Sequence, residues 1–449
     1  MSRIVRASKV RHVYCEPAKQ EFQYHGLRIS SATGDHNYIK ANTTFLAYAV
    51  TTGGGALTVV PLADCGKLDP CLPVLDGHKG AVLDFDFNPF DEHMLASGGD
   101  DCTVKVWALP RGGLTENIMD PVVNMAEHQK KVTVVRYHPT AENVLATGSA
   151  DSTVKIWDVQ RAESVATCAD SEQLIQDVVW SYDGSLLATS AKDKFLRIVD
   201  PRNGEIVQKV LAHDGAKTSK LTFLGAGGNL CSVGFTRSSK RQFKVWDPRN
   251  LEKPLATCDI DQGAGVIMPF FDEGTNLLYL AGKGDGNIRY FEITGEAPFQ
   301  FHVGDYRASS PAKGIAIVPK RSCDVTRCEV TRFLKLTKNS VEPLSFICPR
   351  KSDVFQPDLF PDAYAGKAAL SADDFFAGKN ASPILASLDP KDRAAMAGEE
   401  APTSTLKPLK TARELEAELT SAKAYILQLR SSLEEHGVDI PTAPATLMA

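Results

Sequence analysis

Residues 147–158 read TGSADSTVKIWD. Threonine, serine and aspartate crowd into this stretch, and His128 lies about twenty residues upstream. Ser, His and Asp are the parts of a hydrolytic triad. How this stretch is read decides between one catalytic site and a structural element used many times.

The stretch recurs. Residues 97–107 are SGGDDCTVKVW, 189–199 are TSAKDKFLRIV and 281–291 are AGKGDGNIRYF. Six positions before the closing Trp107, Trp157, Val199 and Phe291 stands an aspartate: Asp101, Asp151, Asp193 and Asp285. Ten positions before stands a small residue: Ser97, Thr147, Thr189 and Ala281. A fifth copy closes at Trp246, with Ser232 as its small residue. Its longer turn, GFTRSSKRQ, puts Lys240 where the aspartate belongs. Successive closing residues are 42 to 50 positions apart, a spacing that marks a repeat architecture.

Within each copy the pattern is strand, turn, strand. Val154, Ile156 and Val159 alternate with polar neighbours, as in a half-buried strand. Upstream runs AVLDFDF (81–87), VTVVRYH (132–138) and DVVWS (177–181) read as further strands, joined by turns such as NPFDEH and SYDGS.

The copies resemble the WD repeat: Gly77-His78 precedes Trp107, His128 precedes Trp157-Asp158, and His213 precedes Trp246-Asp247. The resemblance implies a β-propeller of four-stranded antiparallel blades. It also implies that His78, Ser97, Asp101 and Trp107 form one hydrogen-bonded network, and His128, Thr147, Asp151 and Trp157 another. A buried carboxylate needs such partners. A catalytic triad needs one set at one exposed cleft, so repeated sets read as staples.

The ring is expected to have seven blades over residues 1–350. Residues 27–62 form a degenerate blade around a triple-glycine turn, and 313–319, 330–337 and 341–349 form a last blade short of one strand. VRHVYCE (10–16) is placed to complete it and close the ring.

The totals fit. A chain of 449 residues is long for one ordinary core, and a repeat array removes the difficulty. The net charge of −5 argues against a surface built throughout for nucleic acid. The ten cysteines form no C-x-x-C pair and read as reduced, mostly core-filling residues. TGGGAL lies between two strands rather than ahead of a helix, so no phosphate cradle follows. No metal, other cofactor or enzymatic activity is expected. No window approaches the ~18 apolar residues of a membrane span, and the basic N-terminus lacks the apolar core of a secretory signal.

The tail differs in kind. Residues 351–389 carry Phe355, Phe360, Tyr364, Phe375 and Phe376 without strand periodicity, and read as an extension lying on the propeller. Residues 390–410 read as a flexible linker. In 411–437, Ala412, Leu415, Leu419, Ala422, Ile426, Leu429 and Leu433 are spaced alternately three and four, the seam of a coiled coil. A dimer, trimer or tetramer fits this short seam.

This layout resembles the coronin family. SKVRHVY (8–14), TGGGALTVVPL (52–62), the long-turned GFTRSSKRQFKVWDPR (234–249) and FQPDLFPD (355–362) carry the resemblance. It implies an F-actin-binding protein of the cytoplasm and actin cytoskeleton. Such a protein organises filaments or regulates their turnover, self-associates, and has the branched-actin nucleating complex as a candidate partner. Arg28 in LRIS matches the family's filament-binding arginine, and Arg3, Arg6, Lys9 and Arg11 are expected to add charge to the same face. Two features depart from the family. TGDHN (33–37) stands where coronins usually carry Trp-Asp-Ser, and LRSSLEE does not fit their trimerisation pattern. The alternative is a generic WD scaffold that binds peptides on its central face and not actin.

Overall fold

The computed structural model describes residues 7–32, 34–51, 54–352 and 354–396. It is a closed ring of seven sheets, six antiparallel ones of four strands and one of six, in which Gly66–Lys67 adds as a parallel edge on Tyr24–His25. The opening stretch belongs to a blade of Val132–Tyr137, Val144–Ser149, Val154–Asp158 and Glu163–Cys168, running from the ring's centre outward. Its second and third strands pair with Thr147 opposite Lys155.

The middle strands are buried on both faces because each blade packs between two others, whereas outer strands such as Ile206–Leu211 are partly exposed. In Val144–Ser149 every residue is buried, which is why polar alternation in the sequence is imperfect. The apolar core is therefore the set of seams between blades. One cluster joins Val104 and Val106 to Val132 and Val135, and another joins Val134 and Val154 to Ile175 and Val178.

Carboxylates bind the inner strands together. Asp84 accepts from the Val135 amide at 3.0 Å, Asp86 from Tyr137 at 3.1 Å and Asp177 from Leu221 at 2.9 Å. Each bond runs from one blade's innermost strand to the next. Arg136 lies across this seam, 2.5 Å from Asp84 and 3.5 Å from Asp177.

The ring is closed by the chain's start. Tyr14–Pro17 pairs antiparallel with Ser340–Ile347, with Tyr14 opposite Ile347. Tyr24–His25 pairs with the other end of the same strand, Tyr24 opposite Val341. Two short strands, not the single one expected from residues 10–16, complete the last blade, and residues 10–13 form a turn.

In every blade the turn between the first and second strands lies on one rim of the ring. The turn between the second and third strands lies on the other, together with the links from blade to blade. These are called below the first-turn and second-turn rims.

Residues 354–389 follow the first-turn rim. Phe360 and Leu388 join the apolar cluster of the last two blades. The short helix Ala372–Phe376 is N-capped by Ser371, whose hydroxyl accepts from the Asp374 amide. Its Phe375 packs edge-on against His138 and Trp180, with ring centroids 4.4 and 6.3 Å away. Arg202 clamps the far side, donating to the Phe375 carbonyl at 2.8 Å with its guanidinium 4.5 Å from the Phe375 ring.

The structure corrects the linker boundary, because Pro390–Met396 is helical. Asp389 caps it, accepting from the Lys391 amide at 2.9 Å, and Pro390 takes the first helical position, where no donor is missed. The rest of 390–410 and the whole coiled-coil seam, Ala412 to Leu433, lie outside the described residues. Five of the ten cysteines are buried, whereas Cys65 and Cys71 are exposed.

Candidate binding surface

The triad-like sets come first. His78 Nε2 lies 2.8 Å from Ser97 Oγ and its Nδ1 lies 3.0 Å from Asp101. His128 repeats this with Thr147 at 2.7 Å and Asp151 at 2.9 Å. Trp107 and Trp157 donate to the same hydroxyls at 2.9 and 2.7 Å. Each hydroxyl oxygen thus accepts from indole and lies against one imidazole nitrogen, while the other nitrogen faces aspartate. The order of groups is that of a hydrolase. The accessibility is not: Ser97 and Thr147 are 0% exposed, so no substrate reaches the oxygen.

Burial pushes the Asp151 carboxyl up, but bonds from Thr153, the Gln129 amide and His128 outweigh it and leave it at about 2. The same opposition, with His78, the Lys79 amide and Thr103 outweighing burial, holds Asp101 well below the usual range. These are fixed counterparts, not groups poised to exchange protons near neutrality.

Other blades keep the staple with different parts. At His213 the partner is not Lys240, which is exposed, but Gln242, whose Nε2 donates to His213 Nδ1 at 3.1 Å. His213 Nε2 and Trp246 Nε1 lie 2.9 and 2.8 Å from Ser232 Oγ. In the blade closing at Val199, Asp170 occupies the histidine's position. Arg197, 0% exposed, bridges Asp170 at 3.1 Å and Asp193 at 2.5 Å. Asp285 is held by Arg241 of the preceding blade at 2.6 Å. The position of Asp170, 23 residues before Asp193 as His78 is before Asp101, was legible in the sequence; the arginine that joins the two carboxylates was not.

The second-turn rim presents cations among exposed acids such as Asp100 and Asp214, and Lys131 lies 3.8 Å from Asp100. Lys79, Lys131, Lys192, Lys217, Arg237 and Lys338 are exposed on its turns and links. The first-turn rim carries Asp91, Glu92, Glu142, Asp183 and Glu273. A chain acidic overall thus has one basic rim. At the centre of the first-turn rim a cleft of about 480 Å³ is lined by Trp180, Phe223, Phe271 and Tyr364.

Arg28 stands on the basic rim. Ile29 bridges to Val50, and Thr51 Oγ1 donates to the Ile29 carbonyl at 2.9 Å, beside the second turn of the first blade. The Leu27 amide reaches the Asn339 carbonyl at 3.5 Å, so Arg28, which follows Leu27, and Lys338, which precedes Asn339, flank that bond on the same rim. Both are exposed, and neither forms an ion pair with any described residue.

The other predicted cations part company with Arg28. Lys9 donates to the Asp358 carbonyl at 2.7 Å and the Gly274 carbonyl at 3.1 Å, both on the first-turn rim. The expectation that Lys9 shares a face with Arg28 is therefore corrected: Lys9 ties the N-terminal segment to the extension. Arg11 is exposed near it. Arg3 and Arg6 lie outside the described residues. Lys338 was missed because nothing in the sequence pairs it with Arg28.

Seven blades, histidine–hydroxyl–tryptophan staples and Asp turns define a WD-repeat β-propeller protein. Residues 69–108, 119–158 and 162–200 match the WD domain, G-beta repeat, residues 341–383 match a type of WD40 repeat, and residues 3–67 match a domain of unknown function, DUF1899. The chain is 41% identical to Coronin-A of Dictyostelium discoideum over 86% of its length and 87% of that protein's. It is 40% identical to human Coronin-2A over 86% of its length and 75% of that protein's. The crystal structure of the WD40 domain of Toxoplasma gondii coronin matches it with a TM-score of 0.81 at 35% identity, over 85% of this chain and 98% of that one. The chain belongs to the coronin family.

Proposed function

We propose that this protein binds actin filaments through the second-turn rim around Arg28 and multiplies that contact by self-association through residues 411–437. The observation that supports it is the exposed Arg28, without an ion pair among the described residues, on the same rim as exposed Lys338 in a chain acidic overall. A filament surface rich in carboxylates accepts charge-assisted, bidentate bonds from an arginine. One such contact is weak, and linking several chains raises it by effective concentration. The role is organisation or turnover of filaments in the cytoplasmic actin cytoskeleton, with the branched-actin nucleating complex as a further partner. The chemistry is that of binding rather than catalysis, because the Ser-His-Asp sets are sealed inside blades.

Filament cosedimentation of the full chain, of Arg28→Asp and of a chain ending near residue 405 tests the reading. Both variants are expected to pellet less. Undiminished pelleting of both would defeat it.

A further inference from the structure

The run GDHN (34–37), where the family pattern is absent, fills the centre of the second-turn rim. Its contacts come from distant blades. Asp35 Oδ2 accepts from Thr218 Oγ1 at 2.6 Å, on the link into the fifth blade. Lys283, on the second turn of the sixth, donates to the carbonyls of Gly34 at 2.6 Å and His36 at 2.7 Å. Asn37 Nδ2 donates to the Ile315 carbonyl of the seventh at 2.6 Å, and its Oδ1 accepts from the Ile315 amide at 2.9 Å.

Gly34 is required for this path. Its φ is +147°, and a Cβ there would meet the His36 ring at 2.8 Å. The segment also reaches back toward the stretch that carries Arg28. Lys283 lies 4.5 Å over the Tyr38 ring, and the Tyr38 hydroxyl donates to the Ala32 carbonyl at 3.0 Å. Ala32 in turn donates its amide to Ser30 Oγ at 3.2 Å. A path of contacts runs from the far side of the ring through Lys283 and Tyr38 to the extended segment that carries Arg28.

We infer that residues 34–37 are a plug in the central mouth of the propeller, and that Lys283 and Asp35 are positioning residues which fix Arg28 for its partner from across the ring. The segment occupies the mouth where a propeller would otherwise take a peptide, which favours a rim contact over a central one. Arg28 has no ion pair of its own among the described residues, so its placement rests on its backbone, which is held at Leu27, Ile29 and Ser30 by the first and last blades and, beyond Ala32, by Tyr38 and Lys283.

This inference rests on the filament-binding reading, and its test separates the two. Lys283→Met, Lys283→Arg, Asp35→Ala and Arg28→Asp are made in the full chain. Tryptic cleavage after Arg28, followed by mass spectrometry, reads the order of residues 27–32 without filaments. Cosedimentation reads affinity. Lys283→Met and Asp35→Ala are expected to speed that cleavage and to weaken binding about tenfold, the equivalent of ~1.4 kcal/mol. Lys283→Arg, which keeps a cationic donor for both carbonyls, is expected to restore both. Unchanged cleavage in Lys283→Met and Asp35→Ala overturns the positioning role. Faster cleavage with unchanged binding, while Arg28→Asp binds poorly, overturns the link from plug to filament. Unchanged binding in Arg28→Asp overturns the filament reading itself, and cleavage in the Lys283 and Asp35 variants alone then decides whether the plug orders residues 27–32.

Discussion

Gln242 donates to His213 at 3.1 Å, in the place where other blades set an aspartate. A four-residue insertion carries the turn away from the histidine, and the next strand supplies an amide in its stead. Gln242→Leu keeps the volume and removes the donor, leaving a buried imidazole nitrogen unsatisfied. The expected loss is about 1–3 kcal/mol of unfolding free energy, read by urea denaturation. An unchanged midpoint would show that the amide is incidental.

Acid should unfold the ring through its buried histidines. Burial and the nearby Lys244 hold His213 down at about 3, and burial with Arg202 nearby holds His138 at about 3 despite a bond to the Gly184 carbonyl. Both are neutral in the fold and protonate near pH 6.5 once unfolded. The unfolded chain then binds more protons, so this stability is complete above about pH 6.5 and is lost as pH falls toward 3. Each group removes roughly 2 kcal/mol by pH 5. Thermal melting from pH 7 to 5 checks this, and His213→Gln should flatten the slope. A melting temperature indifferent to pH in that window would contradict it.

The extension should be integral to the fold. Phe375 sits between His138, Trp180 and the Arg202 guanidinium and is 1% exposed. Phe375→Ala is expected to cost about 3–5 kcal/mol. Proteolysis of the variant should begin between residues 354 and 389. Wild-type resistance there would mean that the ring does not depend on this anchor.

Lys338 and Lys9 should behave oppositely. Lys338→Glu puts an anion, which an acidic filament repels, on the rim that carries Arg28 and is expected to weaken filament cosedimentation a few-fold, about 0.5–1 kcal/mol for an exposed charge, with the loss deepening at low salt. Lys9→Met removes two bonds on the other rim. It should lower stability by about 1 kcal/mol and leave filament binding unchanged. The reverse pattern would move the binding face to the first-turn rim.

Self-association is tested by light scattering of the full chain and of Leu419→Asp. Charge in an apolar seam should return the protein to monomer. A monomeric wild type at micromolar concentration would remove avidity from the proposed mechanism.

The sequence alone determined the repeat. Asp101, Asp151, Asp193 and Asp285 recur because every blade must close the same turn, and Trp107, Trp157 and Trp246 recur because every blade fills the same seam. Local and periodic constraints are written in local and periodic residues. What faces what across the ring was decided only by tertiary structure. Lys9 and Arg28 are 19 positions apart and end on opposite rims, whereas Asp35 and Thr218 are 183 apart and share a hydrogen bond. Arg197 and Arg241 took over the work of histidines through contacts that no spacing announces. The physical reason is closure. Once seven similar sheets form a ring, neighbours are set by the angle around its axis and by the rim on which each turn emerges, and separation along the chain records neither.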